Sequence, residues 1–255
     1  MISKQNIELI RSLAHKKNRD ETGLFVAEGE KIVFDLLKTD LALSHLYFTA
    51  DAGKFPSELP ASQSTSLISP KEMERISAFK TPSSMLAVFK IPPYQEVATP
   101  SFEGLSLVLD GLQDPGNLGT IIRLADWFGI RNIYCSENCV DCFNPKCIQS
   151  TMGAIARVRV HYLDLTKLLK EAEAQNVPVY GTFMEGENLY LTELDSRALI
   201  VMGSEGKGIS PNLTSYLTKK ISIPSFPEGN KALESLNVAV SAAIVCAEFR
   251  RRNRN

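Results

Sequence analysis

Three segments in the C-terminal half of this chain hold the residue types that could do chemistry. The first runs Asp110-Gly-Leu-Gln-Asp-Pro-Gly-Asn-Leu-Gly-Thr-Ile-Ile-Arg123 and offers the carboxamide of Asn117 and the guanidinium of Arg123. The second, Gly203-Ser-Glu-Gly-Lys-Gly208, directly follows an apolar run and carries Glu205. The third begins at Ile223-Pro224 and reaches Ser235-Leu-Asn-Val238, supplying Ser235 and Asn237 ahead of an Ala/Val-rich helix. Amide, hydroxyl, carboxylate and guanidinium groups together can orient a polar substrate and stabilise charge that develops on it. Glycines at a strand end let a ligand approach the backbone closely. The glycine loop has neither the G-x-x-x-x-G-K-[ST] spacing nor G-x-G-x-x-G followed by a helix, and its acidic residue argues against a phosphate cradle.

Each segment also has a purely structural reading. Asn117 is a good N-cap for the helix that begins near it. Arg123, six residues on, sits about 240° round that helix from Asn117. Beside the stripe of Leu118, Ile121, Ile122 and Ala125 it can equally be a snorkelling surface residue. The glycine loop fits a ligand loop or a plain turn, and Ser235 or Asn237 can simply cap the last helix. Small residues at Ala239, Ala242, Ala243 and Ala247 suit close packing, in a core or on a dimer face.

The elements that must position these groups read as a parallel sheet. Apolar runs at Leu105–Leu109, Ile133–Cys135, Val177–Tyr180, Leu199–Met202 and Ile221–Ile223 are each followed by turns or helical patterns, as in an α/β sheet covered on both faces. Ligands of such sheets sit at the carboxyl ends of the strands, where the polar segments fall. The N-terminal part reads as a smaller α/β domain. It has an amphipathic helix carrying Ile2, Leu9, Ile10 and Leu13, a helix over Glu28–Lys38 and a strand over Ser44–Thr49. A helix follows over Pro70–Ala78, capped by Ser69, and then a strand over Met85–Lys90. The proline-bearing stretch from Ile91 to Pro100 marks a boundary. We therefore expect a domain over 1–95, a linker over 96–104 and a second domain over 105–255.

With 44% apolar and 22% charged residues, the 255-residue chain is of ordinary globular composition, which argues against disorder. A net charge of −1 weighs mildly against a nucleic-acid partner, whose binders are commonly basic. Two basic clusters offset this: Arg11, His15, Lys16, Lys17 and Arg19 near the N-terminus, and Arg250, Arg251, Arg252 and Arg254 at the other end. No apolar run approaches the roughly 20 residues of a membrane span, and the N-terminus lacks the apolar core of a secretion signal. No membrane association and a cytoplasmic location are expected. Of five cysteines, Cys135, Cys139, Cys142 and Cys147 cluster, but only Cys139 and Cys142 have C-x2-C spacing. The pattern favours reduced, buried thiols and no metal.

In this order and separation the three segments resemble the SpoU class of SPOUT RNA methyltransferases. The family pattern D-P-x-N-x-G-x-x-x-R, then G-S-E-x-x-G, then I-P followed by S-L-N-V, is met by Asp114 to Arg123, Gly203 to Gly208, Ile223-Pro224 and Ser235 to Val238. Asp141 to Lys146 and Ser150 to Ala154 are also similar to the family. More loosely, Lys17–Lys31 and Ser77–Val88 resemble the ends of its substrate-binding domain. One departure is the stretch from Ser225 to Glu234, longer than the family's usual span.

The resemblance implies an α/β fold whose C-terminal SPOUT-type parallel sheet contains a trefoil knot, preceded by a small L30e-like α/β domain that holds RNA. It implies S-adenosylmethionine as cofactor, gripped by Gly203, Ile223 and Leu236, with Thr182 and Phe183 as weaker candidates. It implies methylation of a ribose 2′-hydroxyl, with Arg123 central and Asn117, Glu205, Ser235 and Asn237 orienting it and the substrate. Lys16, Lys17 and Arg19 would contact RNA, ribosomal RNA being preferred to transfer RNA. The active site would lie across a homodimer interface. Methylation of a base nitrogen, or a non-catalytic RNA-binding protein of the same fold, are the alternatives.

Overall fold

The computed structural model describes residues 2–53, 65–92, 100–226 and 235–252. The chain divides into two compact units, Met1–Pro93 with Asp141–Ala156, and Tyr94–Val140 with Arg157–Asn255. The segment Asp141–Ala156, which the sequence reading placed in the second domain, thus packs as part of the first.

The first unit contains α1 (Lys4–Ser12), α2 (Lys16–Thr22), β1 (Leu24–Glu28), α3 (Glu30–Leu37), β2 (Leu43–Phe48), β3 (Thr65–Leu67), α4 (Pro70–Ile76) and β4 (Met85–Lys90). Its sheet has the order β1-β4-β2-β3, antiparallel except for the β2–β3 pair. One face is covered by Ile7, Ile10 and Leu13 of the N-terminal helical region and by Met73 and Ile76 of α4, all packed on Val26, Tyr47, Leu86 and Val88. A capping box starts α4: Ser69 accepts the Glu72 N–H, and the Glu72 carboxylate accepts the Ser69 N–H. Glu28 was expected to open a helix and instead ends β1. Its buried carboxylate accepts from Ser77 Oγ at 2.6 Å, Ser83 N at 3.1 Å and Ala78 N at 3.3 Å. Three donors satisfy a carboxylate that would otherwise be costly to bury.

The second unit contains β5 (Leu105–Asp110), α5 (Pro115–Trp127) and β6 (Asn132–Cys135). The chain then contributes α6 (Pro145–Thr151) to the first unit, against β1. It returns for β7 (Arg159–Tyr162), α7 (Leu165–Ala174), β8 (Val179–Asn188), β9 (Ala198–Gly203), β10 (Lys219–Ser222) and α8 (Val238–Arg252). The sheet is all parallel, in the order β10-β8-β9-β5-β6-β7. Its central strands are apolar on both faces, and residues such as Val108, Val179, Leu199 and Val201 pack with Leu165, Leu168 and Leu169 of α7. Two elements differ from the sequence reading. The four-residue edge strand β7 alternates exposed and buried positions and carries too short an apolar signal to be read. β8 runs on past Tyr180 through polar residues to Asn188, because a register shift between Lys220 and Ile221 lets β10 pair with its far end.

Candidate functional site

Helix α5 begins one turn earlier than its polar residues suggest. Asp114, not Asn117, is its N-cap: the Asp114 carboxylate accepts the Asn117 N–H at 2.8 Å, with Pro115 in the first turn. This corrects the capping role read for Asn117 and leaves that carboxamide available. Its Nδ2 donates to Glu205 Oε1 at 3.0 Å. Asn237 closes the set, its Nδ2 donating to Glu205 Oε1 at 2.9 Å and to Asn117 Oδ1 at 3.0 Å. At its other end Asn237 Oδ1 accepts the N–H groups of Ala239 (3.0 Å) and Val240 (3.3 Å), capping α8. Capping and site-building were alternatives for this residue in the sequence; one carboxamide does both, because its acceptor faces the helix and its donors face the site.

Glu205 reaches this position through a tight turn after β9. Ser204 and Gly208 form a bridge, and the Gly208 N–H donates to Ser204 O at 2.8 Å. A methyl group on Gly203 would lie 2.0 Å from the Gly208 carbonyl carbon, so only glycine permits the turn. The segment Asp110–Gln113 is held from behind by the loop after β6. Ser136 Oγ accepts the Gly111 N–H at 2.8 Å, and Cys139 Sγ accepts the Leu112 N–H at 3.2 Å. The Val140 N–H donates to Leu112 O at 2.8 Å. A hydrogen bond from the Cys135 thiol, with further donors from Ser136 and Leu112, outweighs burial and pushes the Cys139 thiol down to about 6. In the sequence Asp114 counted only as the first residue of the D-P motif and Cys139 only as one of a cysteine cluster; the capping role of the one and the supporting role of the other's loop were not read, though Pro directly after Asp at a strand-to-helix turn is the signal for the cap.

The remaining candidates fall into separate groups. Arg123 is exposed on α5, and its guanidinium makes no hydrogen bond or ion pair with any described residue. Ser235 is likewise exposed and stands outside the Asn117–Glu205–Asn237 network. Gly203 ends β9 and Ile223 directly follows β10, while Thr182 lies in the first half of β8, the strand between those two. Thr182 Oγ1 donates to Val201 O at 3.2 Å, and the partly buried Phe183 ring lies 5.1 Å from Lys220 Nζ. Leu236 is exposed just before α8. Of the long stretch Ser225–Glu234, residues 227–234 lie outside the described residues, as do residues 96–99 of the expected linker and Arg254.

Arg19 requires a correction. It was expected to contact RNA, yet its side chain is 2% exposed. Its guanidinium donates to Asp141 Oδ2 at 2.5 and 2.9 Å and to the carbonyls of Leu13 (2.7 Å) and Ala14 (3.0 Å). Every donor direction that matters is spent on the first unit's own scaffold. Lys16 and Lys17 are exposed and form i,i+4 pairs with Asp20 and Glu21. At the other end of the chain, Arg251 and Arg252 pair with Glu248, while Arg250 donates to Phe128 O and Gly129 O. Among the described residues no group of three or more His, Cys, Asp or Glu is placed to hold a metal ion. Cys135 and Cys139 belong to the second unit, and Cys142 and Cys147 to the first.

Comparison with known proteins places both units. Residues 104–247 match the model of the SpoU rRNA Methylase family, and residues 4–87 match the MRM3-like substrate binding domain. The chain is 32% identical over 248 residues to the 23S rRNA (guanosine(2553)-2′-O)-methyltransferase RlmP of Bacillus subtilis, covering 96% of each chain. A putative RNA methyltransferase of the TrmH family from Porphyromonas gingivalis has a similar structure, with a TM-score of 0.88, 39% identity, and coverage of 99% of this chain and 100% of that one. The AdoMet-bound rRNA methyltransferase of Sinorhizobium meliloti aligns with a TM-score of 0.83 at 26% identity, over 100% of this chain and 98% of that one. With the family model spanning more than half the chain and a relative matched end to end, the protein belongs to the SpoU rRNA methylase family.

Proposed function

We propose that this protein transfers the methyl group of S-adenosylmethionine to a ribose 2′-hydroxyl of ribosomal RNA. The observation that carries the reading is the Asn117–Glu205–Asn237 network, which joins the helix after β5, the turn after β9 and the start of α8 at one point. The similarity to RlmP, which spans both units, favours ribosomal over transfer RNA.

The residues fit the cofactor. Partly exposed apolar side chains at Phe183, Ile223 and Leu236 suit an adenine ring. The strand-end backbone and Gly206, where a side chain would meet nothing within 4 Å, leave room for close approach. Glu205 supplies a carboxylate compatible with a sulfonium. S-adenosylmethionine, when bound, supplies the electrophilic methyl group.

The chain's own task is to position and polarise the hydroxyl. Arg123 is not suited to act as a base, since a guanidinium offers donors and no acceptor. Its exposed, unengaged fork instead binds the phosphate beside the target ribose and stabilises negative charge building on the 2′-oxygen. Asn117, Glu205 and Asn237 fix the floor on which the ribose rests, and Ser235 adds a hydroxyl at its edge.

We assign the working form as a homodimer. Trp127 on α5 is 83% exposed and Val240 on α8 49% exposed, and Ala243 and Ala247 also lie on the outer side of α8. That apolar surface is suited to a second copy. Lys16 and Lys17 contribute RNA contacts from the first unit, since exposed ion pairs are worth little and yield to phosphate. The trefoil knot and a cytoplasmic location belong to the same reading.

The test is transfer of labelled methyl to total RNA from cells lacking the protein, with Arg123→Ala beside the wild type. Label on ribose 2′-oxygens of ribosomal RNA, reduced at least about 100-fold by the substitution, is the expected result. Label on a base, or undiminished transfer by Arg123→Ala, would overturn it.

A further inference from the structure

Glu205 stands on the turn Ser204–Gly208, which is exposed from Glu205 to Gly208. Exposed backbone of this kind opens readily unless both limbs are tied down. The incoming limb is tied by the sheet: Gly203, the last residue of β9, pairs with Asp110, the last residue of β5. The outgoing limb has left the sheet, and there the Ser210 N–H donates to Asp110 Oδ2 at 2.7 Å. Asp110 therefore holds both limbs, one through its backbone and the other through its carboxylate.

The same residue fixes the start of the first segment. Gly111 follows it at φ +70°, a conformation suited to glycine, and the Gly111 N–H donates to Ser136 Oγ at 2.8 Å. Leu112 and Gln113 then lead to Asp114, whose carboxylate caps α5 at the Asn117 N–H. The stretch carrying Asn117 and the stretch carrying Glu205 are thus joined at Asp110, ahead of their own side-chain contact at 3.0 Å.

Stability alone does not account for this side chain. Asp110 is 6% exposed, and its carboxylate has one hydrogen bond to a described residue, the one with Ser210. The buried carboxylate of Glu28 has three donors. A buried carboxylate with a single donor leaves much of its desolvation uncompensated. In return, a charged acceptor makes a shorter and stronger bond to a backbone N–H than a neutral one does. That suits a joint that must not slip.

We infer that Asp110 is a positioning residue for methyl transfer: its carboxylate holds Ser210 so that the turn presents Glu205 to Asn117 and Asn237. The inference rests on the methyltransferase reading and extends the site to a buried residue that acts through Glu205.

The test uses the full-length protein and two readouts. In methyl transfer, Asp110→Ala should lower kcat about 10-fold to 100-fold and change KM for RNA by less than about 3-fold. Asp110→Asn keeps an acceptor for the Ser210 N–H and should recover most of that loss. In a Glu205→Ala background, Asp110→Ala should cost less than about 2-fold more, because residues that act through one another are not additive. An equal cost in both backgrounds, an Asn variant as poor as the Ala variant, or wild-type kcat in Asp110→Ala overturns the inference. The second readout does not depend on transfer. In heteronuclear NMR spectra, Asp110→Ala should shift the side-chain amide signals of Asn117 and Asn237 along with the Ser210 N–H, while the backbone signals of α7 stay in place. Unmoved asparagine signals count against the inference, and so does a spectrum that has lost its dispersion throughout, which makes Asp110 a folding residue. Shifted asparagines in a protein whose wild type transfers no methyl would remove the methyltransferase reading and leave the joint standing.

Discussion

The polar clusters at the heart of the two units are placed in opposite ways, although the second unit also buries carboxylates, Glu248 beneath Arg251 and Arg252 and Asp110 against the Ser210 N–H. In the first, charges are buried and joined to one another: Arg19 against Asp141, which are 2% and 12% exposed, and Glu28 beneath three donors. In the second, the sheet interior is almost wholly apolar, and the Asn117–Glu205–Asn237 network sits near the surface at the carboxyl ends of the strands. A buried ion pair repays its desolvation only while both partners remain, so the first unit's polar groups hold a shape. Surface hydrogen bonds contribute little to stability, so those of the second unit are open to being kept for what they hold in place. The difference teaches that the burial of a polar cluster, more than its residue types, separates scaffold from site.

The sharpest way to break that comparison is Arg19→Ala. It leaves Asp141 half of a broken buried pair, and denaturant unfolding should show a loss of about 3–5 kcal/mol. A loss under about 1 kcal/mol would mean that the first unit's charges are no more structural than the second's. Next is Asn237→Ser, which keeps an N-cap for α8 but removes the amide donors to Glu205 and Asn117. Methyl transfer should fall by about 100-fold while stability changes by no more than about 0.5 kcal/mol. Equal losses of folding and activity would make the network a structural one.

The units should also titrate differently. Hydrogen bonds from the Ser69 and Ile2 N–H groups hold Glu72 down at about 2. Its contribution is present at neutral pH and lost as pH falls from about 4.5 towards 2, so Glu72→Gln should flatten acid unfolding of the first unit in that window. Cys139, at about 6 against an ordinary thiol near 8.5, contributes fully only above the unfolded value and loses that contribution as pH falls through 6. Stability of the second unit should therefore rise between pH 6 and about 8.5, and Cys139→Ser should remove that slope. The smallest effect belongs to Ser106, whose buried hydroxyl has no partner in the apolar sheet. Ser106→Ala should be neutral or stabilising by up to about 1 kcal/mol in thermal unfolding.

The same distinction governs what could be read in advance. The parallel sheet was legible because fully buried strands are continuous apolar runs, and β5, β6 and β9 lie where those runs lie. Asn117, Glu205 and Asn237 stood out as polar residues at strand and helix ends, and they meet. β7 was not legible, because an edge strand needs only one apolar face. The burial of Arg19 was not legible either: its partner is 122 residues away, and local pattern shows only a basic cluster. The capping role of Asp114 was not legible because Asn117 is an equally good cap by type, and only the backbone decides between positions three residues apart.

That distant partner has a consequence for how the chain is made. The first unit is discontinuous, and Arg19 must wait for Asp141, as β1 must wait for α6, to be synthesised. At translation rates of about 5–20 residues per second, β5, α5 and β6 emerge before the segment that completes the unit preceding them. A nascent chain halted near residue 140 therefore carries an unpaired arginine in an unfinished core. The N-terminal unit cannot be released as a complete module by cutting the chain once after its last strand.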